Sequence, residues 1–117
     1  MCISGKTEDL GICYNTLSTI NPRLIYCSIS GFGSTGPFST KPGYDLICSA
    51  MYGMMHITGP EGPCEETIAV RPAIAMTDIS TGLMAQGAIL AALYERTSSN
   101  LGMFKIVHCI IMQHFIL

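Results

Sequence analysis

The segment S28-I-S-G-F-G-S-T-G-P-F-S39 limits the architectures open to this chain more than any other. Gly31, Gly33 and Gly36 have the G-x-G-x-x-G spacing of a dinucleotide-binding turn. Such a turn needs a strand before it and a helix that starts within it, so that the helix N-terminus meets the pyrophosphate. The strand requirement is met. Leu24-Ile25-Tyr26-Cys27-Ser28-Ile29 is a continuous β-prone run bounded by turn signals, the pattern of a buried parallel strand. The helix requirement is not met. Pro37 follows the third glycine directly, and Pro42 would fall inside the helix, where proline removes an amide donor and clashes with the preceding turn. No acidic residue ends a following strand at the expected distance, and Asp45 and Glu61 stand in the wrong local context. The chain reads as a strand followed by a tight glycine loop, not as a nucleotide-dependent oxidoreductase. The carboxyl end of a strand is still where open α/β sheets place ligands.

The rest of the chain extends this pattern. Asp9 to Ile20 predicts a short helix and turn, stopped by Asn21-Pro22. Gly31 to Gly43 is a loop. Tyr44 to Met55 predicts a helix, with Leu46, Ile47, Met51, Met54 and Met55 apolar and Gly53 near its end. His56 to Thr67 is a second loop, built around Gly59-Pro60 and Gly62-Pro63, and Ile68 to Met76 is a short extended segment. Asp78 to Arg96 is the clearest helix. Thr77 or Asp78 caps it, Ile79, Leu83, Leu90 and Tyr94 form one apolar stripe, and Arg96 suits its C-terminal end. Strand, helix, strand and helix in turn predict an α/β fold.

Composition says what surrounds this fold. At 117 residues the chain is one domain at most, or a piece of one. Only 12% of its residues are charged, against about a quarter in a typical domain. So sparse a polar surface is expected to sit against more protein. A net charge of −2 leaves no electrostatic footprint for nucleic acid or an anionic membrane. No apolar run reaches the roughly 18 residues of a membrane span. The segment from Ile106 to Leu117 is interrupted by His108, Gln113 and His114, and residues 1–10 lack the apolar core of a signal peptide. The six cysteines, at positions 2, 13, 27, 48, 64 and 109, include no C-x-x-C pair and are expected to be reduced, buried small hydrophobes. His108, Cys109 and His114 lack a second ligand cluster, so no metal is expected.

Several motifs occur in one order and register: N21-P-R-L-I-Y-C-S-I-S-G-F-G-S-T-G-P37, K41-P-G-Y-D45, H56-I-T-G-P-E61 and R71-P-A-I-A-M-T-D-I-S-T-G82. Together they resemble the class III CoA-transferases. The segment from Gly53 to Gly87 is most similar to members that act on glutarate or hydroxymethylglutarate. The resemblance runs from about Gly5 to Gly102 and implies that residues 1–102 are part of the Rossmann-like large domain of such an enzyme, with residues 103–117 as a divergent apolar tail. It implies CoA exchange between succinyl-CoA and a small dicarboxylic acid. Coenzyme A is then a substrate and no cofactor is permanently bound. It also implies a mitochondrial location, with the cytoplasm as the alternative, and a parent enzyme that forms an interlocked homodimer. Relatives are several times longer, so a truncated chain that at most binds CoA or a partner is the competing expectation.

The resemblance also assigns residues. The family nucleophile maps onto Asp78 in A75-M-T-D-I-S-T-G82; from pattern alone, Asp78 reads as a helix cap. Tyr44 and Asp45 match a segment that lines the CoA and substrate pocket, and the reading as a helix-start aromatic and a capping aspartate stands beside this. Racemising relatives carry a histidine base where Tyr44 stands, so tyrosine favours transfer. Gly5 and Lys6 resemble the end of a CoA-contacting N-F-x-P-G segment whose first part is missing here. Lys41 is out of register with a CoA-contacting lysine of relatives. His56 reads as a hydrogen-bonded structural histidine. Arg71 suits a substrate carboxylate or one of Glu61, Glu65 and Glu66.

Overall fold

The computed structural model describes residues 6–60 and 68–108. Its elements are α1 (Lys6–Asp9), α2 (Tyr14–Ile20), β1 (Ile25–Ser30), α3 (Asp45–Met51), α4 (Met54–Ile57), α5 (Met76–Ser99) and β2 (Met103–His108). The two strands pair in parallel, from Ile25 opposite Met103 to Ser30 opposite His108. Parallel strands need a long crossover. Here it runs through α3, α4 and α5. The α/β class follows, but the second strand lies after the long helix rather than before it. Ile68 to Ala75 forms no strand, and Met76 belongs to α5.

Opposite residues Tyr26 and Phe104 start the packing on one face of the sheet. Tyr14 of α2 stacks on Phe104 at 5.1 Å between ring centroids and meets Tyr26 edge-on at 6.1 Å. Val107, two residues past Lys105 on the other face of β2, is buried. The long helix α5 packs against both strands.

The apolar stripe expected to face the interior of α5 does not. Ile79, Leu83, Leu90 and Tyr94 are 51%, 64%, 57% and 79% exposed. The buried residues of this helix are Thr77, Thr81, Ala85 and Ala92. Small side chains let a helix lie close against its neighbours, and Thr81 satisfies its hydroxyl within the helix by donating to the Thr77 carbonyl at 2.6 Å. The expected Tyr44–Met55 helix is also broken. It stops at Met51, and Gly53 adopts a left-handed backbone (φ 81°) before α4 starts. The cysteines are not uniformly buried. Cys48 is fully buried, Cys13 and Cys27 are half-buried, and Cys2, Cys64 and Cys109 lie outside the described residues. Burial raises the Cys27 thiol pKa, whereas a side-chain hydrogen bond with Thr16 lowers that of Cys13.

Backbone contacts that only glycine permits join these pieces. A Cβ on Gly43 would lie 2.5 Å from the Gly31 Cα, so the loop leaving β1 returns to touch its own start. At the other end of the strand, the Gly102 amide donates to the Pro22 carbonyl at 2.7 Å and the Met103 amide to that of Leu24 at 3.0 Å. Arg96, in the last turn of α5, donates to the Arg23 carbonyl at 3.1 Å.

These contacts separate two kinds of glycine. Gly43→Ala is expected to lower stability by about 1–3 kcal/mol, because backbone atoms must move apart. Gly82 sits in α5 with nothing within 4 Å of its missing Cβ. Gly82→Ala is expected to raise stability by up to about 1 kcal/mol through helix propensity. Urea melts of both variants measure the difference, and equal effects would contradict the glycine contact.

Candidate active site

Helix α5 begins without a cap of its own. Its N-cap residue, Ala75, has no side chain that can accept a hydrogen bond. Thr77 and Asp78, expected to cap the helix, both lie inside its first turn. The first amides of a helix have no partner within it. One is satisfied from another element: the Thr77 amide donates to Asp45 Oδ1 at 2.8 Å. Asp45 is the first residue of α3, so it caps α5 rather than its own helix. A cap of this kind contributes about 1–2 kcal/mol.

The glycine loop explains how Asp45 reaches this position. Gly43 rests on Gly31 at the carboxyl end of β1, and Tyr44 and Asp45 follow at once. Tyr44 has extended backbone geometry at the N-cap of α3, and its carbonyl accepts from the Cys48 amide at 3.0 Å. Its side chain is 61% exposed. Below it, Cys48 and Ser49 of α3 and Thr77 and Thr81 of α5 are all buried. The interface between these helices is therefore a seam of small, mostly polar side chains. Among the described residues, the Ser49 hydroxyl is buried without a hydrogen-bond partner. Sequence reasoning that ranks helix faces by large apolar residues missed this seam. The signal was there as small residues at fourfold spacing, Thr77, Thr81 and Ala85.

Asp78 is exposed, next to the capped amide. Its pKa is raised, first by desolvation from the surrounding protein and second by the charge of Asp45. The positive end of the helix dipole acts in the opposite direction on a carboxylate in the first turn. Two expected site residues, Asp45 and Asp78, thus come together at the N-terminus of α5, and Tyr44 precedes Asp45 in the chain. Lys6 begins α1, which packs extensively on no other element, and Gly5 lies outside the described residues. Lys41 is exposed in the loop. His56 is exposed on α4 rather than enclosed. Arg71 is exposed, and Glu61, Glu65 and Glu66 lie outside the described residues. So do Cys109 and His114; no group of three metal-ligating side chains occurs among the described residues. No helix there is long and apolar enough to cross a membrane.

This arrangement offers an exposed carboxylate at a helix N-terminus, close to a second carboxylate. A carboxylate so placed can act as a nucleophile on an activated acyl group.

The sequence profile of CoA-transferase family III matches residues 3–113. The chain is 50% identical over 102 residues to succinyl-CoA:glutarate CoA-transferase of Mus musculus and 47% identical to that of Homo sapiens, covering 87% of this chain in each case. It spans 22% of the length of either relative. A solved structure of a CAIB/BAIF family protein from Brucella suis is 35% identical, with a TM-score of 0.83 over 97% of this chain and 29% of its own.

The raised Asp78 pKa has a consequence for stability. A folded state that holds the proton more tightly than the unfolded state loses stability as pH rises from the ordinary aspartate value of 3.8 through the raised one. Asp78→Asn removes this loss. Relative to wild type, the variant is expected to be more stable at pH 7 than at pH 3 in urea melts. A difference of the opposite sign would contradict the desolvated placement of Asp78.

Proposed function

The chain belongs to CoA-transferase family III, and from that membership we propose that it is the nucleophile-bearing part of an enzyme that moves CoA between succinyl-CoA and a small dicarboxylic acid, glutarate or hydroxymethylglutarate. Support for the substrate class comes from relatives named as succinyl-CoA:glutarate CoA-transferases. The observation that carries the residue assignment is the position of Asp78, exposed in the first turn of α5 beside a second carboxylate. No resident cofactor is needed, because the chemistry is carried by the acyl-CoA substrate and the protein carboxylate.

The Asp78 carboxylate attacks the thioester carbonyl of succinyl-CoA. The C–S bond breaks, CoA leaves as thiolate, and a mixed anhydride between Asp78 and succinate remains. The thiolate then attacks the Asp78 carbonyl of that anhydride. Succinate leaves as a carboxylate, and an aspartyl-CoA thioester is left on the protein. An acceptor dicarboxylate reverses the two steps, takes the CoA and regenerates the Asp78 carboxylate. Each step exchanges one acyl bond for another, with no net redox change and no net proton uptake. The raised pKa of Asp78 makes its ionised form a more basic and therefore better nucleophile.

The Tyr44 side chain is exposed and is assigned to acyl-CoA contact on the family correspondence. A tyrosine where racemising relatives carry a histidine base favours transfer over racemisation. Asp45, Gly5 and Lys6 are assigned to CoA contact on the same family correspondence. A mitochondrial setting and an interlocked homodimer of the complete enzyme belong to the same proposal, as do a fragment of the large domain in residues 1–102 and a divergent apolar tail in 103–117. A second reading rests on a specific observation: the chain spans 22% of the length of its relatives. In that reading the isolated chain holds CoA without turning it over.

Incubation of the chain with succinyl-CoA, followed by intact-mass measurement, tests both readings. The expected result is a CoA adduct that hydroxylamine removes and that Asp78→Ala abolishes. A chain that is stabilised by succinyl-CoA in a thermal melt yet forms no adduct would favour the second reading, because binding to the folded state alone raises the melting temperature.

A further inference from the structure

Asp45 has a second function that its position makes explicit. We propose that Asp45 is a positioning residue for Asp78: through its hydrogen bond to the Thr77 amide it fixes the first turn of α5 from outside the helix and so sets where the Asp78 carboxylate stands. This rests on the reading of Asp78 as nucleophile.

The argument starts from the unsatisfied end of α5. Ala75 offers no side-chain acceptor, so the first turn is held from outside. The bond from the Thr77 amide to Asp45 Oδ1, 2.8 Å long, spans 32 residues of sequence. Thr77 itself is fully buried and Thr81 nearly so, and Thr81 donates to the Thr77 carbonyl. The residue immediately before Asp78 is thus held at its amide by α3 and at its carbonyl by the next turn. Rotation of the first turn would break both bonds. The partner side is equally constrained, because Asp45 follows Gly43, whose backbone lies against Gly31. Asp45 therefore transmits the position of the β1 strand end to the nucleophile. One of its carboxylate oxygens is already committed to this bond and is not free for a ligand. Among the described residues, Asp45 is the charged group that raises the Asp78 pKa, after desolvation.

Asparagine keeps the acceptor and loses the charge, whereas alanine loses both. The test uses the substrate-free 117-residue chain. It measures Thr77 amide exchange and the Asp78 carboxyl titration by NMR in wild type, Asp45→Asn and Asp45→Ala. Asp45→Asn is expected to leave Thr77 protection within about twofold and to move the Asp78 midpoint to lower pH. Asp45→Ala is expected to speed Thr77 exchange by roughly tenfold, the size of a lost cap. If Asp45→Ala does not fold, the Asn variant decides alone. Loss of Thr77 protection beyond about twofold in Asp45→Asn, or unchanged Thr77 exchange in a folded Asp45→Ala, overturns the proposal. Because no CoA is present, these outcomes are independent of whether Asp78 forms an adduct.

Discussion

One hydrogen bond ties the start of α3 to the start of α5. The Asp45 carboxylate accepts from the Thr77 amide at 2.8 Å and supplies the cap that the sequence of α5 does not provide. Without it, the Thr77 amide at the start of α5 would lose this acceptor, next to the carboxylate proposed as nucleophile. The bond is possible because Gly43 can touch Gly31, which brings α3 to the carboxyl end of β1. A glycine loop that fails as a phosphate cradle therefore still positions a site. It does so through backbone contact, not through a following helix.

The same geometry explains the composition. The buried part of the chain is thin: Cys48, Met54, Ala85, Ala92 and Val107, with Ser49, Thr77 and Thr81. Much of the apolar content points outward, including the stripe on α5. Large exposed apolar surface marks a site of contact with further protein. The relatives are several times longer than this chain, so such protein exists within the family. A two-stranded parallel sheet is likewise narrow by the standard of an independent α/β domain, whose sheets commonly have about four to six strands.

Part of this was legible from sequence. The strand at Ile25–Ser30 and the loop after it follow from a continuous β-prone run and from Pro37 and Pro42. Much of α5 follows from apolar spacing and from the absence of proline between Pro72 and its end. The orientation of α5 was not legible. Its large residues mark the outward face, because the inward face needs small residues to approach α3 closely. The helix start was also misplaced, since an N-cap pattern search favours Thr77 or Asp78 and cannot see a cap delivered from residue 45. The second strand was missed because Met103–His108 runs into an apolar segment whose period distinguishes neither strand nor helix. The pairing of Asp45 with α5 has no local signal at all. It is a tertiary contact, and only the resemblance to a family placed both residues in one pocket.

Two carboxylates, Asp45 and Asp78, lie at one helix end, and their chemical roles are separable. Borohydride reduces an aspartyl-CoA thioester to an alcohol, converting that aspartate to homoserine and leaving free carboxylates intact. The decisive measurement is tandem mass spectrometry of the chain after incubation with succinyl-CoA and borohydride. Conversion of Asp78 alone is the expected result. Conversion of Asp45, or of any other acidic residue in place of Asp78, would contradict the assignment of nucleophile and positioning residue.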